Sequence, residues 1–162
     1  MPWYLHPHTV IVDMDGTLAN IGHRLHHLEG RKKNWPAFAK GVKNDLLNGD
    51  IMFIVGALYA AGAKILVASG RMESQRADTV EWLDGHRMSA RSNYRDALVL
   101  YEKLYMRKEG DFRPDDVIKL EILKQMHEDG YSPTMAIDDR DRVVEAWRSA
   151  GLRCLQVQKG DY

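Results

Sequence analysis

The chain has 162 residues, with Lys plus Arg and Asp plus Glu balanced at 23 each. That length fits one domain, residues 1–162, which buries roughly 70% of its unfolded surface, and zero net charge leaves no overall field to draw it onto a long polyanion. A single cysteine, Cys154, excludes an internal disulfide, while the absence of any long apolar run or charged, apolar leader excludes a membrane span and points to the cytoplasm.

The first predicted strand, Thr9–Val12, runs into Asp13-Met14-Asp15-Gly16-Thr17. Open α/β sheets place ligands at the carboxyl ends of their strands, so two carboxylates one residue apart arrive at a ligand rim on a turning backbone. One can act as nucleophile or metal ligand and the other can handle protons, which suits phosphoryl transfer through an aspartyl-phosphate assisted by Mg²⁺. A calcium loop starting at Asp13 needs glutamate at its twelfth position, and Arg24 stands there. A plain turn with solvated carboxylates is the other reading.

Residues 23–48 break the sheet pattern. They hold His23, His26 and His27, the basic run Arg31-Lys32-Lys33, and Trp35, Phe38 and Val42 at helical spacing, so a small helical, cap-like insertion is expected after the first strand. No cysteine accompanies these histidines, or His6 and His8, which favours surface positions over a zinc site. Trp82 and Trp147 are expected in the core. Trp35 fits packing or base stacking, and the basic run fits a solvated face or a nucleic-acid backbone contact.

A helix over Asp50–Ala61 is closed by Gly62, and a strand over Ile65–Ala68 ends in Ser69-Gly70-Arg71, where a hydroxyl and backbone N–H groups can hold phosphoryl oxygens. A helix over Ser74–Leu83 follows, then an exposed loop over Gly85–Asp96 and a short strand over Lys103–Arg107. Next come a helix over Asp116–Glu128 and a strand over Met135–Ile137 that ends in Asp138-Asp139-Arg140. A helix over Arg140–Ala150 and a last strand over Cys154–Val157 complete the pattern. Alternation of this kind gives an α/β fold with a parallel sheet flanked by helices, and right-handed crossovers gather the strand ends on one edge.

Adjacent Asp138 and Asp139 repel, and a cation relieves that repulsion. An Mg²⁺ ion would take oxygens from Asp13, from Asp15 by way of its backbone carbonyl, and from one of Asp138 and Asp139. The other aspartate can cap the following helix. Lys119 lies four residues after Asp115, as an exposed ion pair or as a buried cation that neutralises phosphate charge.

The order Asp13-x-Asp15-Gly16-Thr17, Ser69, Lys119, Asp138-Asp139 resembles the motifs of the haloacid dehalogenase superfamily of phosphatases. With Arg24, Val67 to Arg71, Asp115 to Lys119, Ala136 to Arg140, Trp147-Arg148 and the terminal Gly160-Asp161, the chain is similar to the 3′-phosphatase domain of phage polynucleotide kinase-phosphatase. The resemblance implies a Rossmann-like sheet, Asp13 as nucleophile, Asp15 as general acid and then base, and Ser69 and Lys119 as phosphoryl holders. It further implies substrate contacts from Arg24 and Arg71, a requirement for Asp115, and Asp139 as the direct Mg²⁺ ligand with Asp138 behind it. Residues 25–48 and 85–100 match less well. The phosphate-binding Gly-x-x-x-x-Gly-Lys loop of the family's kinase domain is absent from this sequence, so 5′-kinase activity is not expected.

The leading expectation is a Mg²⁺-dependent enzyme of nucleic-acid repair that removes the phosphate from a 3′-phosphorylated nucleic-acid end. Two alternatives stay open: a phosphatase acting on a nucleotide or sugar phosphate, and a non-enzymatic end-binding module partnering a separately encoded kinase or ligase.

Overall fold

The computed structural model describes residues 8–86 and 100–162; His6 and most of the loop expected over Gly85–Asp96 lie outside them. Five parallel strands, β1 (Thr9–Asp13), β4 (Lys64–Met72), β5 (Lys103–Arg107), β6 (Met135–Arg140) and β7 (Arg153–Gly160), form a sheet in the order β5-β4-β1-β6-β7. β1 lies at its centre, paired with β4 from Thr9 against Lys64 to Asp13 against Ala68, and with β6 on its other side. All five of its residues are buried, so a continuous apolar run is what the position requires.

The period of two sends Val10 and Val12 to one face of the sheet and Ile11 to the other. On the first face they meet α2 (Gly49–Ala60), α3 (Arg76–Gly85) and the segment that follows β1. On the second, Ile11 packs with Ile118 and Ile122 of α4 (Asp115–Glu128) and with Val143, Val144 and Trp147 of α5 (Asp141–Ser149). Asp13 continues the Ile11 side, so it is delivered toward α4.

The segment after β1 is compact and mostly helical. A 3₁₀ turn over Gly22–Leu28, the short helix α1 (Trp35–Lys40) and a second turn over Val42–Asn44 are closed off by a two-residue ladder, β2 (Ala19–Asn20) against β3 (Leu46–Leu47). Asn34 caps α1, its side-chain oxygen accepting the N–H of Ala37 at 3.1 Å. Phe38 and Val42 are buried, whereas Trp35 is half exposed; Trp82 and Trp147 are core residues.

Three strand ends differ clearly from expectation, and one of them is β7, which continues past Val157 to Gly160. β4 does not stop at Ala68 but runs through Ser69-Gly70-Arg71 to Met72, with its register against β5 broken between Ser69 and Met72. β6 likewise runs through Asp138-Asp139 to Arg140, its register against β7 broken after Asp138. Bulges bend a strand and re-aim its side chains, and both fall where polar groups must turn toward the rim. The helix expected from Ser74 opens as a 3₁₀ turn over Glu73–Gln75 before α3 begins. Among the described residues, no helix is long and apolar enough to cross a membrane.

Candidate active site

The carboxyl ends of β1, β4 and β6 and the first turns of α4 meet around a cleft of about 440 Å³, with Asp13, Asp15, Arg71, Asp115 and Asp139 among its lining residues. Asp13 leaves β1 beside Lys119, a fully buried side chain in the second turn of α4. The Lys119 ammonium donates to Asp13 Oδ1, to the Ala68 carbonyl at 3.0 Å and to Asp138 Oδ2 at 3.3 Å. Lys119 is thus the buried cation, not an exposed partner of Asp115. Burial alone would lower its pKa, but the facing charges of Asp13 and Asp138 outweigh that and raise it.

The two aspartates at the end of β6 divide the work. Asp138 is saturated: Oδ1 accepts the backbone N–H groups of Asp139 (2.9 Å) and Arg140 (3.3 Å), and Oδ2 accepts Lys119 and the Trp147 indole N–H (3.1 Å). Asp139 is open. Its Oδ2 accepts the Tyr162 hydroxyl at 2.9 Å, while Oδ1 is buried without a hydrogen-bond partner.

Ligand oxygens of Asp13, Asp138 and Asp139 all lie within 4.8 Å of one another. Burial pushes Asp139 up to about 6, with Asp138 adding to it, and burial raises Asp13 well above the usual carboxylate range despite the lysine. Three crowded carboxylates, one carrying an orphaned buried oxygen, fit a hard divalent cation. Asp13 and Asp139 have oxygens to offer it, whereas Asp138 is committed to the scaffold.

Gly16 makes this approach feasible. Its φ of +86° is a conformation side chains disfavour, and a β-carbon there would collide with Asp139 Oδ2 and the Tyr162 hydroxyl. Gly70 does the same on β4, where a β-carbon would strike the Asp115 carboxylate. Ser69 is buried, its hydroxyl accepting the Arg71 N–H at 3.1 Å. Asp115 is held by Arg107 (3.1 Å) and Arg140 (3.4 Å).

Asp15 points away from the acidic cluster. Arg24 Nη2 donates to its Oδ1 at 2.7 Å, and Arg71 donates through both Nε and Nη2. Both guanidiniums also bind Asp45, whose Oδ2 accepts Arg24 at 2.6 Å and Arg71 at 3.0 Å. Burial would raise Asp15, but the two arginines prevail and bring it down to about 2. The carboxylate of Asp15 is therefore outside the group that fits a cation; its backbone carbonyl lies 2.9 Å from the Tyr162 oxygen, whose single proton it shares with Asp139 Oδ2. Arg24 and Arg71, which the resemblance assigns to substrate, line the cleft with their charges already met by Asp15 and Asp45.

Sequence reasoning misses Asp45, Tyr162 and Arg107. Asp45 sits in an insertion with no strand periodicity, and only the buried charge of Arg24 hints that a second acid is needed. No histidine joins a candidate metal group among the described residues.

This geometry has counterparts. Residues 7–162 match the family of polynucleotide kinase PNKP phosphatase domains. The chain belongs to that family. It is 31% identical to a chain in a structure of a Pnkp1/Rnl/Hen1 complex, with a TM-score of 0.75 over 96% of this chain and 47% of that one. A chain in a structure of the Pnkp1/Rnl/Hen1 RNA repair complex is 30% identical, with a TM-score of 0.76 over 96% and 44% of the two chains. The protein thus spans about half the length of these relatives. A haloacid dehalogenase family enzyme from Bacteroides thetaiotaomicron, in complex with magnesium and inorganic phosphate, shares the fold at 13% identity, with a TM-score of 0.57 over 97% of each chain. The PNKP phosphatase-domain family and its haloacid dehalogenase-type fold are shown together.

Proposed function

We propose that this PNKP-family phosphatase domain is a Mg²⁺-dependent phosphomonoesterase that removes the 3′-terminal phosphate from polynucleotide ends. The observation that carries the reading is Asp13 held by a buried lysine beside the unpartnered Asp139 Oδ1, on the floor of a cleft. Bound between Asp13 and Asp139, Mg²⁺ would neutralise phosphate charge.

Asp13 Oδ1 is engaged by Lys119, which leaves Oδ2 to attack phosphorus in line with the leaving 3′ oxygen. The P–O bond to the leaving group breaks as the Asp13–phosphorus bond forms. Lys119, whose three N–H groups are taken by Asp13, Asp138 and the Ala68 carbonyl, would hold a phosphoryl oxygen by giving up one of these acceptors, and Ser69 would turn its hydroxyl proton to another, with the lysine charge fixed in advance by its burial among acids. Asp15 protonates the leaving oxygen, then takes the proton from the water that cleaves the aspartyl-phosphate. At about 2 its pKa keeps Asp15 ionised at neutral pH but makes it a weak base, so both roles need that pKa to rise. The acid role requires Asp15 to gain a proton, and we place that change at substrate entry, where phosphate oxygens compete with Asp15 for Arg71 and Arg24. Asp45 then keeps both guanidiniums paired and in place.

Asp13→Asn tests this. Turnover of a 3′-phosphorylated oligonucleotide with Mg²⁺ is expected to vanish while the circular dichroism spectrum is unchanged, and chelation is expected to silence the unaltered protein. Full activity in the variant refutes the mechanism.

A second reading, a nucleotide or sugar-phosphate phosphatase, is favoured by the zero net charge and the modest cleft. A preference for the oligonucleotide over its mononucleotide of less than about tenfold, or 1.4 kcal/mol, decides for that reading. The relatives found in a repair complex support a further proposal, that this domain works beside a kinase or ligase.

A further inference from the structure

The proposed cation site draws on two separate pieces of chain, the turn after β1 and the bulged end of β6. β1 pairs with β6 only as far as Val12 against Ile137, so the polar ends beyond that point are not held together by the ladder. A third element ties them. β7 pairs with β6 alone in the sheet, yet side chains from β7 and the residues after it reach across the rim to the β1 turn.

Strand side chains alternate, so Gln156, Gln158 and Gly160 share one face of β7. Gln156 donates to the Asp139 carbonyl at 2.9 Å, and Gln158 donates to the Gly16 carbonyl at 2.9 Å. At Gly160 a β-carbon would strike Asp139 Oδ2, so the strand leaves that carboxylate room. Beyond the strand, the Tyr162 hydroxyl lies 2.9 Å from the Asp15 carbonyl and 2.9 Å from Asp139 Oδ2, its single proton serving one of them at a time. The Arg140 guanidinium covers the Tyr162 ring, 4.5 Å from its centroid. Gln158 and Tyr162 thus hold two successive carbonyls of the β1 turn, and Tyr162 reaches Asp139 as well.

Repulsion gives Asp139 a reason to be held. Its ligand oxygen lies within 4.8 Å of those of Asp13 and Asp138, and without a cation like charges favour a rotamer that swings it outward. A hydroxyl on Oδ2 opposes that swing and leaves the buried, unpartnered Oδ1 for the ion. Polar groups behind metal ligands fix their orientation, and losing one costs about 10–100-fold in metal affinity. We propose that Tyr162 and Gln158 are positioning residues for the cation: they set the span between the β1 turn and Asp139 and hold the Asp139 carboxylate in the orientation that binds Mg²⁺. The inference rests on the cation site of the proposed function and adds the residues that brace it. A hydroxyl that instead occupied the place of the ion would have an effect of the opposite sign.

The test titrates the chelator-treated protein with Mg²⁺ alone at pH 7, followed by calorimetry and by the rise in Tm. Tyr162→Phe keeps the ring beside Arg140 and removes only the hydroxyl; Gln158→Leu removes the amide donor. Each is expected to raise the Kd for Mg²⁺ by about tenfold or more. With a 3′-phosphorylated oligonucleotide, the Mg²⁺ concentration giving half the maximal rate should rise by the same factor, while kcat at saturating Mg²⁺ returns toward the parent value. A loss of kcat at every Mg²⁺ concentration with Kd unchanged marks a merely structural role and overturns the proposal. Tighter Mg²⁺ binding by Tyr162→Phe also overturns it, because the hydroxyl would then be a competitor of the ion. The two variants remove separate hydrogen bonds, so either carries the test if the other does not fold. A parent that binds no Mg²⁺ overturns the cation reading itself, and the parent titration tells that failure from the others.

Discussion

A lysine shut off from water stays charged only if fixed negative charge replaces its hydration, and Lys119 meets that condition with Asp13 and Asp138. The dependence runs both ways, since those carboxylates are themselves buried. Lys119→Met would leave them facing each other without a counter-charge. Removing one partner of a buried ion pair costs about 3–5 kcal/mol, and at this chain length each kcal/mol moves Tm by roughly 2–4 °C. Lys119→Met is therefore expected to melt some 6–20 °C below the parent at neutral pH and to lose turnover. Lys119→Arg should not rescue turnover, because a planar guanidinium cannot occupy a site shaped for a compact ammonium. Denaturant unfolding with a loss under 1 kcal/mol would show that the ion pair does not form in solution.

At the scale of elements, two connections do most of the positioning: the turn after β1 and the bulged end of β6. Gly16→Ala forces a side chain into a φ of +86° and drives its β-carbon into Asp139, whereas Gly62→Ala meets the same backbone strain at φ +91° with nothing nearby. Both are expected to destabilise by about 1 kcal/mol or more. Only Gly16→Ala should also abolish the rise in Tm that Mg²⁺ produces in the parent; an equal rise in both variants would remove Gly16 from the site's construction. The elements themselves were legible because β1 is apolar on both faces and because α4 and α5 carry their buried residues at helical spacing. Convergence of Asp13 and Asp139 followed from parallel topology, whereas the spacing of Lys119 leaves two readings open and only the resemblance implies its place at the site. The ends of β4 and β6 were misplaced because a bulge lets a strand continue through residues that look like a turn. Asp45 stayed hidden because its partner Arg71 lies 26 residues away and is reached only through the folded insertion.

For the whole molecule, opposite pKa displacements in one site set how stability follows pH. Asp15, depressed from 3.8 to about 2, contributes stability that is present above pH 4 and lost as pH falls through 2, worth about 2 kcal/mol. Asp139 works in the opposite sense. With its pKa raised from 3.8 to about 6, the folded state holds its proton more tightly than the unfolded state, so stability falls as pH rises from about 4 to 6, by about 3 kcal/mol. Asp13, also raised, adds to that decline. The metal-free protein should therefore be most stable near pH 4–5 and lose several degrees of Tm by pH 7. Mg²⁺ at the proposed site binds the ionised carboxylates and stabilises the folded state in proportion to RT ln(1 + [Mg²⁺]/Kd), so it should restore Tm at pH 7 and do little at pH 4.5. Thermal melts at both pH values, with chelator and with Mg²⁺, measure all four corners. A metal-free Tm that rises from pH 4.5 to 7, or an Mg²⁺ effect of the same size at both, would mean that the acidic cluster is not the cation site, and the proposed chemistry would lose its electrostatic basis.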